Sequence, residues 1–139
     1  MSKKINKALL PNLKEKINEV RIIPIEIDGE IFEVTVNVFL SGSLRDKLIK
    51  HIQTYATEEN VEKYGGEVLA FYSIFHAITD IEFSEDIEEG IDLFNSLSDL
   101  GVIAQIVNQL PEQLFHDITR SLEMTQEVLE QMARENEVS

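Results

Sequence analysis

Ile22-Ile23-Pro24-Ile25-Glu26-Ile27-Asp28-Gly29-Glu30-Ile31-Phe32-Glu33-Val34-Thr35-Val36-Asn37-Val38-Phe39-Leu40 is the stretch on which the fold turns. Asp28-Gly29 separates an Ile-rich run from an alternating one, the pattern of a β-hairpin closed by a two-residue type I′ turn. That turn sets Ile25 opposite Phe32 and Ile23 opposite Val34. One face then carries Ile23, Ile25, Ile27, Phe32, Val34 and Val36, the other Glu26, Glu33, Thr35 and Asn37. Turn and alternation demand the same register, and a slip by one residue would turn every apolar side chain outward. A lone hairpin is marginal in water, so its apolar face must pack on helices.

Working outward, residues 5–20 place Ile5, Leu9, Leu13, Ile17 and Val20 on a helical stripe. Pro11 interrupts it, so this helix starts near Pro11 or is short. After Ser41 the chain reads as helix throughout. Ser43 with Asp46 resembles a capping box ahead of Leu44, Leu48, Ile49, Ile52 and Tyr55. Thr57-Glu58-Glu59 caps a short turn through Tyr64, stopped by Gly65-Gly66. Val68, Phe71, Tyr72, Phe75 and Ile78 mark the next helix. Ser84 caps one that carries Ile87, Ile91, Phe94 and Leu97 and stops at Gly101. Val102 to Leu110 follows, and Pro111 opens the last helix. The expected fold is α+β: one domain over 1–139, with a basic N-terminal arm or helix (1–20), an antiparallel β-hairpin (21–40) and about five helices in 43–135.

Charge is regional. The 139 residues carry a formal net charge of −14, yet the first 63 residues are balanced. From residue 64 to 119 no lysine or arginine occurs, while eleven acids do. Such a surface cannot pair its own carboxylates; it stays solvated or meets a basic partner. Nucleic acid and anionic lipid are disfavoured partners, because phosphate binding needs clustered cations. The one basic cluster is Lys3, Lys4, Lys7, Lys14 and Lys16, diluted by Glu15 and Glu19. No apolar run approaches the ~20 residues of a membrane helix. No apolar segment follows the basic start as in a secretory signal. A soluble, cytoplasmic protein is expected. With no cysteine there are no disulfides, thiolate nucleophiles or cysteine metal sites.

The acid-dense run Asp80–Asp92 fails as a calcium loop. Counting from Asp80, Glu85 falls where the turn glycine belongs and Ile91 where the bidentate glutamate belongs. No histidine stands three residues after these acids, as a di-metal bundle site needs. Glu85, Asp86 and Glu88 gain from a helix dipole if Ser84 is the cap. The pairs Glu85–Glu89 and Glu88–Asp92 repel at helical spacing. The candidate partner-binding residues are therefore Glu82, Glu85, Asp86, Glu88, Glu89 and Asp92. Leu122, Leu129 and Met132 join them, on a final helix that packs back on the domain or offers its stripe to a partner. Lys3, Lys4 and Lys7 are candidates for self-association. The histidines His51, His76 and His116 lie far apart, and His76 reads as a semi-buried core residue. Phe71, Tyr72, Phe75, Phe83, Phe94 and Phe115 read as core. No nucleophile elbow, phosphate loop or cofactor motif is visible, so neither enzyme activity nor a cofactor is expected.

Leu69-Ala70-Phe71-Tyr72-Ser73-Ile74-Phe75-His76-Ala77-Ile78-Thr79-Asp80, with Asp86–Phe94, Asp99–Ile103 and Gln109-Leu110-Pro111-Glu112, resembles the tail assembly chaperones of long-tailed bacteriophages and prophages. The plan is similar too: a short acidic protein, a hairpin first, then helices. The resemblance covers about a third of the chain. It implies a non-enzymatic, homo-oligomeric helper in the cytoplasm of a bacterial host. Such a helper binds the tape measure protein, and in some cases the tail tube protein, during tail assembly. An acidic DNA mimic, such as an anti-restriction protein, would need acids at phosphate-like spacing over an elongated surface, whereas these concentrate at Asp80–Asp92. A structural head–tail component retained in the particle would share the same sequence features.

Overall fold

The structure is a computed structural model, and it describes residues 4–123. A 3₁₀ turn, Lys7–Leu9, leads into α1 (Leu10–Ile17), and the strands β1 (Val20–Ile27) and β2 (Glu30–Asn37) follow. Then come α2 (Gly42–Tyr55), α3 (Glu58–Tyr64), α4 (Gly66–Ile78), α5 (Ile87–Asp99) and α6 (Val102–Asn108). A last helix, α7, is described over 112–123. The architecture is α+β, a two-stranded antiparallel hairpin set against helices.

The hairpin has the expected register: Ile25 pairs with Phe32 and Ile23 with Val34. Asp28 at φ 52° and Gly29 at φ 81° give the two left-handed residues of a type I′ turn. Ile23, Ile25, Val34 and Val36 are buried, each contributing roughly 1.5–3 kcal/mol. Phe32 departs from expectation. It shares their face but stays half exposed, although its partner Ile25 is buried and Ile27, nearer the turn, packs on the core; at this end the cover lies over β1 and not over β2. Beyond β2, residues 78–80 zip onto its edge. Val36 and Thr79 form a bridge, Asp80 N donates to Thr35 O at 3.0 Å, and Thr35 N donates to Asp80 Oδ1 at 2.8 Å. The far edge, β1, is blunted by Pro24, which has no N–H to offer a further strand. The Arg21 guanidinium donates to the Gln109 carbonyl at the end of α6, tying the hairpin to the helical side.

One core joins these elements. Leu44 and Leu48 of α2 meet Leu69, Tyr72, Phe75 and Ile78 of α4, and Ile91, Phe94, Val102, Ile106, Leu114 and Ile118 complete it. Two helix starts differ from the sequence reading. Ser41, not Ser43, caps α2: its extended backbone lets Oγ accept from Leu44 N at 3.1 Å. Asp86, not Ser84, caps α5 by accepting from Glu88 N at 3.2 Å, while Ser84 Oγ accepts from Asp86 N one step earlier. Phe71 also differs. It lies on the outer side of α4 and is half exposed, whereas Tyr72 and Phe75 fill the core. Gly101, at φ 78°, ends α5 as expected. No helix among the described residues is long and apolar enough to cross a membrane.

Candidate binding surfaces

The corrected start of α5 rearranges the acid row. Glu88 and Glu89 occupy the first helical turn, where the dipole favours them, and Glu85 lies outside the helix. The expected Glu85–Glu89 repulsion across one helical turn therefore does not arise. Glu89 instead accepts a hydrogen bond from the Ser84 hydroxyl at 2.9 Å. Glu88 and Asp92 remain a like-charged pair one turn apart on α5. Asp86, Glu88, Glu89 and Asp92, with Tyr64, Ile91 and Asn95, line an open recess of about 570 Å³. Its apolar base is supplied by Ile91, itself a core residue. Among the described residues the only ion pair within 4.0 Å is Lys16–Glu19, far along the chain. One cation, Lys63, stands beside the recess residue Tyr64, its ammonium 5.3 Å from the centre of that ring. A hydrogen bond with Tyr64 and the field of Glu88 raise its pKa above the ordinary value. Glu82 is exposed in the preceding loop. Asp80, the first acid of the run, serves the fold: its carboxylate holds Thr35 N on the β2 edge.

Beneath α5 lies a cluster that the sequence did not announce. His51 and His76, 25 residues apart, stack at 4.2 Å between ring centroids. Tyr55 stacks on both, and Tyr72 meets Tyr55 and Phe83 edge-on at 5.1 Å each. His51 Nε2 and Tyr72 Oη are buried with no hydrogen-bond partner among the described residues. Burial lowers the His51 pKa to about 4, helped by the facing His76 and by Lys47. Burial, and then Tyr55, pushes Tyr72 up to about 12. Gly90 of α5 makes the close approach possible: a Cβ there would meet Tyr72 Oη at 2.2 Å. A glycine inside a helix costs about 1 kcal/mol against alanine, and that cost is the signal from which a close approach at Gly90 could have been read.

The remaining candidates divide. Leu122 packs partly buried against the core, and Arg45 Nε of α2 donates to the neighbouring Ser121 Oγ at 3.2 Å, so α7 docks on its own domain up to there. Leu122 is therefore partly covered by its own domain, while Leu129 and Met132 lie outside the described residues. Lys4 and Lys7 are exposed on the arm, and Lys3 lies outside the described residues. The helix α1 has no buried residue, and the stripe of Leu9, just before it, with Leu13 and Ile17 stays about 36–48% exposed. The outer face of the hairpin is also more apolar than expected, because Val20, Ile22 and Ile31 stand on it, at least half exposed. Among the described residues no three His, Asp or Glu side chains converge to hold a metal ion. No protein family, curated protein or solved structure matches the chain.

Proposed function

We propose that this chain is a tail assembly chaperone of a long-tailed bacteriophage or prophage, a non-catalytic protein working in the cytoplasm of its bacterial host. Its client is the tape measure protein, with the tail tube protein as a second. The observation that carries the binding reading is the recess on α3 and α5, where four carboxylates surround an apolar base and, among the described residues, none of them lies within 4.0 Å of a lysine or arginine. Removing a carboxylate from water is costly unless a cation compensates, so such a rim favours a basic, amphipathic segment over an acidic one. A long helical client with lysine-rich turns fits that description, and helix-in-groove docking is the matching mode. The resemblance of residues 69–114 to the chaperones supplies the biological setting.

The test is co-expression of the chain with tape measure fragments, followed by pull-down. The triple variant Glu85→Lys, Glu88→Lys, Asp92→Lys leaves the Asp86 cap and the Ser84–Glu89 hydrogen bond in place. It should weaken capture by on the order of tenfold or more and reduce its salt sensitivity. Capture of the same fragment at wild-type strength would reject the acid rim as the binding site.

A further inference from the structure

Two apolar surfaces of this chain lie next to each other in sequence, and each is only partly covered. The first is the stripe beginning at the turn before α1, with Leu13 48%, Ile17 39% and Leu9 36% exposed. The second is the outer face of the hairpin, where Ile22 is 58% and Ile31 71% exposed. A helix with one apolar stripe and a sheet with an apolar face are each stable only when covered, and helix on sheet is the ordinary way to cover both. Their charges are opposite. Residues 4–19 carry four lysines against Glu15 and Glu19, whereas Glu26, Asp28, Glu30 and Glu33 surround the hairpin face with no lysine or arginine between Arg21 and Arg45. Glu26 and Glu33 stand on the same outer face as Ile22 and Ile31.

We propose that α1 of one copy lies across the outer hairpin face of a second copy, and that the exchange is reciprocal. The dimer is then two-fold symmetric, with each chain giving an arm and receiving one. Apolar contact runs from Leu9, Leu13 and Ile17 onto Val20, Ile22 and Ile31, while Lys7 and Lys14 reach the partner's hairpin carboxylates; Lys16 is paired with Glu19 of its own arm. A standard interface takes about 800 Å² from each partner. Reciprocal exchange approaches that size because each chain contributes both an arm and a face. The contact does not involve the recess on α3 and α5, so it stands independently of the client proposed above.

Sedimentation velocity and light scattering on the full chain test this across concentration and salt. Wild type should pass from 15.9 kDa to twice that mass as concentration rises, and the association should weaken with added salt. The arm variant Lys7→Glu, Lys14→Glu and the hairpin variant Glu26→Lys, Glu33→Lys change exposed side chains only. Each should dissociate at least about tenfold more easily. Mixed together they should recover a dimer, since each reversed arm then meets an oppositely charged face. Three results would each overturn the proposal: a wild-type monomer at every concentration, a wild-type dimer that neither variant weakens, or reversed variants that fail to associate when mixed.

Discussion

Gly90→Ala should destabilise the protein even though alanine is the better helix former, and Tyr72→Phe should remove most of that cost. The new Cβ would stand 2.2 Å from Tyr72 Oη, 3.0 Å from its Cζ and 3.4 Å from the Ser84 carbonyl. Nothing at the ring end can bend away, because Tyr72 is fully buried and wedged among Tyr55, His76, Phe83 and Phe94. Overpacking of this kind costs roughly 1–3 kcal/mol. Relief from the helix-interior glycine offsets about 1 kcal/mol. With an overlap this deep the upper part of the packing range applies, for a net loss of about 1–2 kcal/mol. Tyr72→Phe deletes the clashing atom and also a buried hydroxyl that has no partner among the described residues, so alone it should be neutral or stabilising. In the double variant the ring carbon Cζ still lies 3.0 Å from the added methyl group, so a small part of the cost remains. The coupling energy should therefore be about 1–2 kcal/mol, well outside the additivity expected of independent sites. Urea unfolding reads it directly: at an m-value of about 1–3 kcal/mol/M, Gly90→Ala should lower the midpoint by about 0.3–2 M with m unchanged. An alanine variant more stable than wild type, or a double variant equal to the sum of the singles, would refute the packing argument.

Acidification should act through His51. Its pKa falls from 6.5 when unfolded to about 4 when folded, so the unfolded chain binds more protons between these values. The stability contributed by neutral His51 is thus complete above about pH 6.5 and is lost as pH drops toward 4. Discounted for the partial exposure of the ring, the loss is about 1–2 kcal/mol. His51→Phe keeps a ring beside Tyr55 and His76, and the difference between its pH–stability curve and that of wild type should flatten above about pH 7. Curves that stay parallel on acidification through that window would contradict the assignment. At the start of α2, Ser41→Ala should cost about 1 kcal/mol in urea unfolding while Ser43→Ala stays within about 0.5 kcal/mol; the reverse order would return the cap to Ser43.

The hairpin was legible because its information is local. Asp28-Gly29 fixes the turn, the period of two fixes the faces, and the pairing of Ile23 with Val34 follows from both. Helix starts were legible only to within two residues, since Ser41 and Ser43 stand close together, as do Ser84 and Asp86. Which of them takes the extended cap backbone is decided by how the incoming loop meets the core. Phe32 and Phe71 show a different limit. Periodicity assigns a side chain to a face, but whether that face is covered depends on elements distant in the chain. The His51–His76 stack is non-local in the same way, as it exists only because α2 packs beside α4. Asp80 belonged by composition to the acid row, and only the return of residues 78–80 along β2 reveals it as a structural hydrogen-bond partner.

The two proposed contacts divide the charge of this chain in a way that has a consequence of its own. The arm holds the only dense group of cations, and the acid rim on α5 is the most conspicuous place for them to go. Arm-to-rim pairing would set self-association and client binding in competition for one surface. The rim, however, offers an apolar base of little more than Tyr64 and Ile91, whereas the hairpin face offers Val20, Ile22 and Ile31 together with four nearby acids. An amphipathic helix is held by its apolar stripe first and oriented by its charges second, since exposed ion pairs contribute only about 0–1 kcal/mol each. The proposed arm contact should therefore favour the hairpin over the rim. If the arm lysines are taken up there, Lys63 beside Glu88 is the remaining nearby cation, and the proposed dimer would leave the acids from Glu85 to Asp92 open to a basic client.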